Sequence, residues 1–327
     1  MDIALLLAFS LLLIVGGAEL FTNAIEWAGY LLHLGEGATG SLLAALGTSL
    51  PETIVPIVAL VVHRPHSSNI AIGAVLGSSF MLLSLGAGIT GAAVLLRRQR
   101  PLLSLSRTQS RRDLGVFLIA FTGSFISIWL PRIEHVIWGI VLVLLYVGYV
   151  RLTLQEGVPS ETMPEPLHIT FHRTERPRVS LVVVQLIASV ALLIVGSDAF
   201  VAQVGTIATD LHLNALLVAL IIVPLATELP ETLNSVLWIR TNADGLAFGN
   251  VAGSATFQSC ILGAIAVLFT PWNPSEPGII GAVLTIGMAA ILLGLLWNGT
   301  RRGWVVMLAA LPWAGYVIGT IVTTIVH

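Results

Sequence analysis

Two short phrases, both embedded in apolar sequence, set a glutamate directly behind a helix-breaking proline. They are Gly47-Thr48-Ser49-Leu50-Pro51-Glu52 in the first half of the chain and Ala226-Thr227-Glu228-Leu229-Pro230-Glu231 in the second. Proline has no N–H and its ring crowds the preceding turn, so the carbonyl oxygens of Gly47 and Ala226 lose their usual amide donors. Thr48 precedes Glu52 by four residues and Thr227 precedes Glu231 by four, a spacing that puts each hydroxyl on the face of its acid. Two carboxylates, two hydroxyls and freed carbonyls make an all-oxygen ligand set of the kind that hard cations such as Ca2+ and Na+ take. No thiolate or histidine cluster stands near them, which disfavours soft metals. Glu228 adds a third acid. Three residues before Glu231, it shares a helical face with it, and the two repel if both are ionised. Two arrangements are open: the pair holds a proton that an arriving cation displaces, or Glu228 turns away and pairs with a hydroxyl or backbone group.

These acids are informative because the sequence around them is that of a membrane protein. The 327 residues are 56% hydrophobic and only 10% charged, against roughly 25% charged in a soluble domain. An all-α integral membrane protein is expected, embedded in a lipid bilayer. The net charge of −2 supplies no basic surface for nucleic acid, and the single cysteine, Cys260, excludes an internal disulfide or a cysteine-based metal site. No resident cofactor is expected.

Apolar runs long enough to cross a bilayer lie near 3–31, 40–62, 69–96, 113–130, 133–154, 179–208, 214–239, 245–270, 277–297 and 302–325, which predicts ten transmembrane helices. The first is read as a retained span and not a cleaved signal, because Asp2 stands where a basic region belongs and no small-residue cleavage site follows. The polar stretch 155–178 then separates a first half, 1–154, from a second, 179–327.

The halves match beyond the Pro-Glu phrase. Gly73-Ala74-Val75-Leu76-Gly77-Ser78 pairs with Gly249-Asn250-Val251-Ala252-Gly253-Ser254, and His33-Leu34 pairs with His212-Leu213. Five spans per half is an odd number, so the second copy must sit upside down relative to the first: two inverted five-helix repeats, with one acid from each meeting inside. The glycine pairs allow close helix approach, and Ser78 and Ser254 bring hydroxyls beside them. All fifteen basic residues are arginines. With the N-terminus outside, only Arg64 and Arg132 fall on the outer side, so both termini are expected to be extracellular or periplasmic and the central linker cytoplasmic.

Taken together these motifs resemble the sodium/calcium exchanger group, the cation/Ca2+ antiporter superfamily. Its hallmark is a pair of inverted repeats carrying Gly-Thr-Ser-Leu-Pro-Glu followed by Gly-Asn-x-x-Gly-Ser. The first phrase is complete at 47–52 and altered at 226–231; the second is complete at 249–254 and has Ala74 in place of its Asn at 73–78. The resemblance implies that Glu52 and Glu231 coordinate the ion and that Thr48 and Thr227 add backbone and side-chain oxygens. Ser49, Ser78 and Ser254 would complete flanking positions. Members exchange Ca2+ against Na+, H+ or K+ by alternating access.

Two departures bear on the centre. Four residues after the Gly-Ser the family places Asn or Asp, where this chain has Leu82 and Gln258; beside Thr227 it has Glu228 in place of the expected serine. Three acids are thus expected, one moved from the eighth span to the seventh, with Gln258 left as a candidate oxygen ligand on the eighth. The function expected is a cation antiporter of the cytoplasmic membrane exchanging Ca2+ against Na+. The alternatives are a proton- or K+-coupled exchanger of the same fold or, from other classes, a passive channel or an intramembrane enzyme. The enzyme is disfavoured because neither His-Glu-x-x-His nor paired transmembrane aspartates occur.

Overall fold

A computed structural model of the chain describes residues 3–31, 49–62, 66–97, 101–156, 165–170 and 177–326. The first half contains α1 (Ile3–Leu31), α2 (Leu50–Val62), α3 (Ser67–Met81), α4 (Ala87–Leu96), a short strand β1 (Leu102–Ser104), α5 (Arg107–Ile126) and α6 (Arg132–Glu156). The second half contains α7 (Val179–Asp210), α8 (Ala215–Thr227), α9 (Leu229–Arg240), α10 (Asp244–Phe257), α11 (Gly263–Phe269), α12 (Glu276–Leu296), β2 (Thr300–Arg302), α13 (Gly303–Met307) and α14 (Ala310–Val326). Among the described residues eight helical segments are long and apolar enough to cross a membrane, nine when the bent pair α8–α9 is counted as one span. The second expected span is represented by the shorter α2, and residues 40–48 in front of it lie outside the described residues.

The spans sort by composition. The third (α3 with α4) and eighth (α10 with α11), rich in Gly, Ala and Ser, are almost wholly enclosed by the others. Bulky apolar side chains such as Phe9 and Leu12 of α1 and Ile187 of α7 face outward, where lipid is their solvent. The first spans of the two halves, α1 and α7, lie against one another. Their glycines permit it: a Cβ on Gly17 would press on Leu193 and the Ser189 carbonyl, and one on Gly196 on Leu13 and Ile14.

The duplication extends to local backbone detail that composition does not encode. Both inner spans open into a single π-helical turn at matching positions, Leu82–Gly86 and Gln258–Leu262. A left-handed residue precedes each inner span, His66 (φ 66°) directly before α3 and Asn242 (φ 63°) two residues before α10. Such π turns widen the helix and cluster at functional sites. The first is anchored by Ser84, whose hydroxyl donates to the Ala309 carbonyl at 2.6 Å and accepts from the Trp313 amide at 3.0 Å. That bond falls where the tenth expected span breaks between α13 and α14. The fourth span starts earlier than hydropathy indicates, at Arg107 in place of 113, because Ser106 caps it by accepting from the Gln109 amide.

Loops expected on one side of the membrane do meet. β1 pairs antiparallel with β2. Arg97, after α4, forms a bidentate pair with Asp244 at the start of α10, at 2.6 and 3.2 Å. On the opposite side Arg132 donates to the carbonyls of Val267, Leu268 and Thr270 at the end of α11, a favoured place for a cation. Arg97 and Arg132 are therefore structural partners that tie loops to helix ends.

Residues 165–170 of the linker dock between α1 and α7. Trp27 Nε1 donates to the Glu165 carbonyl at 2.7 Å, and Asn23 Oδ1 accepts from the His168 amide at 3.1 Å. Gln185 Oε1 accepts from the Ile169 amide at 3.0 Å while Leu167 is buried beside Trp27 and Val182. Trp27→Phe keeps the packing and deletes one donor, a loss of about 1 kcal/mol. Amide exchange at His168 and Ile169 should then accelerate about fivefold by mass spectrometry; unchanged exchange would show that the strap does not depend on this bond.

Candidate cation site

The two Leu-Pro-Glu phrases begin helices. Glu52 is the third residue of α2 and Glu231 the third of α9. Each carboxylate is therefore held in a first helical turn, where it lies near the backbone amides at the positive end of the peptide dipoles. That arrangement offsets part of the cost of bringing acids together. The break in the seventh span lies at Glu228, which separates α8 from α9 with φ −94° and ψ −11°; the two helices meet at a 42° bend. Pro230 has no N–H to offer the Ala226 carbonyl.

Glu52, Glu228 and Glu231 converge from the two halves. They offer carboxylate oxygens that all lie within 4.8 Å of one another, and the residues are 1%, 0% and 3% exposed. Gln258, at the head of the second π turn, donates Nε2 to Glu228 Oε1 at 2.7 Å. The Ser78 hydroxyl lies beside the same carboxylate. Both Glu52 oxygens, Glu228 Oε2, Gln258 Oε1 and Ser49 Oγ are buried without a hydrogen-bond partner. Buried polar atoms are ordinarily paired, so an enclosed cluster of acceptors without donors fits a cation.

The sequence expectations meet the structure residue by residue. Glu52, Glu228, Glu231, Ser78 and Gln258 come together, and Ser49 of the first phrase is buried. Thr48 and Gly47 lie outside the described residues. Thr227 does not share a helical face with Glu231, because α8 ends at Thr227 and a new helix begins at Leu229. Its hydroxyl sits beside Glu52 of the other half and donates to the Val223 carbonyl at 3.2 Å. Ser254 is buried on α10, one turn before Gln258. Likewise Glu228 and Glu231 meet across a broken turn and not along a continuous helix. Leu82, the counterpart of Gln258, is fully buried at the head of the first π turn, so the polar contribution from the π turns is one-sided. Ser235 and Asn250 also touch this region, through the Glu231 backbone; Ser235 carries no motif that would have singled it out.

The glycine pairs divide in role. A Cβ on Gly73 or Gly77 would overlap the carbonyl oxygen of Leu216 or Leu220, so both are needed where α3 crosses α8. Gly249 and Gly253 face the side chains of Gln109 and Tyr149.

A model of the sodium/calcium exchanger protein family matches residues 3–155 and 181–324. A putative antiporter, CaxA, of Alkalimonas amylolytica is 28% identical over 310 residues, covering 90% of this chain and 88% of that one. The H+/Ca2+ exchanger CAX superposes with a TM-score of 0.77 at 18% identity, covering 98% of this chain and 82% of CAX. The sodium-calcium exchanger NCX_Mj, soaked with Na+ and Sr2+, superposes at 0.60 with 22% identity, covering 98% and 97%. At those identities the structures speak for a common fold. The family model covers both halves of the chain and both Pro-Glu turns, and by that match the protein is a member of the sodium/calcium exchanger family.

Proposed function

We propose that the protein is a secondary active antiporter that exchanges Ca2+ against Na+ across the cytoplasmic membrane by alternating access. The observation that carries this reading is the trio Glu52, Glu228 and Glu231, buried with oxygens within 4.8 Å and drawn from both inverted halves. Three ionised carboxylates so close repel strongly, and a divalent cation removes that repulsion while satisfying their free oxygens. In this reading Glu52 and Glu231 are the principal ligands. Ser49, Thr48, Thr227, Ser78, Ser254 and Gln258 supply further oxygens or hold the acids. Both termini lie outside and the 155–178 linker in the cytoplasm, on the strength of the arginine distribution. Vesicles loaded separately with Na+, K+ or a proton excess, and offered radioactive calcium outside, test the exchange. Uptake should follow the Na+ gradient and vanish without a counter-ion; uptake without any gradient would point to a channel and overturn the reading.

The third acid favours proton coupling as the second reading. A divalent cation balances two of the three charges, which leaves Glu228 to a proton or a monovalent ion. Its Oε2 has no partner although its Oε1 is held by Gln258. Glu228→Ser removes this competition between proton and cation, so transport should persist and become less sensitive to acid. Uptake rates measured across a pH series check it, and a profile superimposable on the wild type would exclude Glu228 from the ion path.

A further inference from the structure

We infer that Asn250 is a positioning residue that fixes the Glu231 carboxylate through its backbone, with Ser235 as its partner, and that only the second half of the protein has this clamp. Asn250 Nδ2 donates to the Glu231 carbonyl at 3.0 Å and reaches Ser235 Oγ at 3.3 Å. Ser235 Oγ in turn lies 3.1 Å from the same carbonyl and 3.0 Å from that of Ala247 on α10. The first turn of α9, which carries Glu231, is thus stitched to α10, whose continuation carries Gln258. A carboxylate at a short broken helix has few other restraints, since the chain bends immediately before it.

The first half lacks both side chains of the clamp. Ala74 stands at the position of Asn250, and Pro56, four residues after Glu52, stands at that of Ser235. Pro56 also has no amide to give the Glu52 carbonyl, so this turn of α2 is held by fewer bonds than its counterpart in α9. The two acids are therefore mechanically unequal: Glu231 is the fixed side of the site, and Glu52, whose two oxygens are both unpartnered, is the side that adjusts to the ion.

This inference rests on the cation-exchange reading, and its test separates the two. Purified protein in detergent is titrated with CaCl2 and, separately, NaCl, following the melting temperature of the wild type, Asn250→Ala, Asn250→Asp and Ser235→Ala. Residues that orient a ligand typically set metal affinity by 10–100-fold, so Asn250→Ala should raise the midpoint of the stabilising cation about tenfold, with a smaller rise in Ser235→Ala. Asn250→Asp keeps the shape but puts an oxygen against the Glu231 carbonyl, and should raise it further. A packing role predicts the reverse order, Asp milder than Ala. An unchanged midpoint in Asn250→Ala or that reverse order overturns the assignment; where an Asn250 variant does not fold, an unchanged midpoint in Ser235→Ala does so. If the wild type responds to Na+ and not to Ca2+, the cargo reading fails while the comparison is made on Na+. A wild type stabilised by no cation overturns both.

Discussion

Glu231→Gln is expected to abolish cation exchange while leaving the protein folded. The substitution conserves volume, removes one of three charges, and introduces an N–H2 donor where the cation needs an oxygen ligand. Truncating one member of a buried charged contact costs about 2–5 kcal/mol, and each 1.4 kcal/mol is a factor of ten in affinity. The half-saturating cation concentration should therefore rise at least thirtyfold or so, beyond the range in which vesicle uptake is measurable. Glu52→Gln should behave alike, since both acids lie in first helical turns with oxygens within reach of the same point. The effect contrasts with the tolerated Glu228→Ser. Uptake assays normalised to protein in the membrane provide the measurement, and near wild-type transport by Glu231→Gln would remove the acid trio from the ion path.

Gly77→Val should prevent most of the protein from folding. At Gly77 a Cβ would collide with the Leu220 carbonyl and press on the Pro224 ring at 2.8 Å. The obstacle is main chain, which cannot rotate away as a side-chain tip can. Relief requires α3 and α8 to separate, and these helices carry Ser78 and Thr227 into the site. Overpacking typically costs 1–3 kcal/mol, and a backbone collision at an enclosed crossing should reach about the top of that range. Gly16→Val is the control, because nothing lies within 4 Å of a Cβ there and the position faces outward. The yield of monodisperse protein after detergent extraction distinguishes them. Equal yields would mean that the crossing can open without loss and that the glycine pair is not a packing requirement.

What could be read from the sequence and what could not divides along a physical line. Hydropathy and helix breakers act locally, so the long apolar spans and the broken turn at Pro230 were legible in the chain. So was the convergence of Glu52, Glu228 and Glu231, because an odd number of spans per repeat forces two matched turns to face one another. The seventh span shows where local reasoning ends. A continuous helix would have put Thr227 on the face of Glu231, but Pro230 cannot propagate it, and the bend turns Thr227 toward Glu52. The bonds that fix the acids join residues distant in the chain: Gln258 to Glu228, Asn250 to the Glu231 carbonyl. Such pairs depend on how α9 and α10 pack, on the π turn that heads Gln258 inward, and on a linker that folds back over Trp27. Composition and spacing therefore determined which groups are present and on which span. Their distances, their donors and the inequality of the two halves were decided by tertiary packing, because a hydrogen bond needs an atom within about 3 Å, and no one-dimensional pattern specifies that.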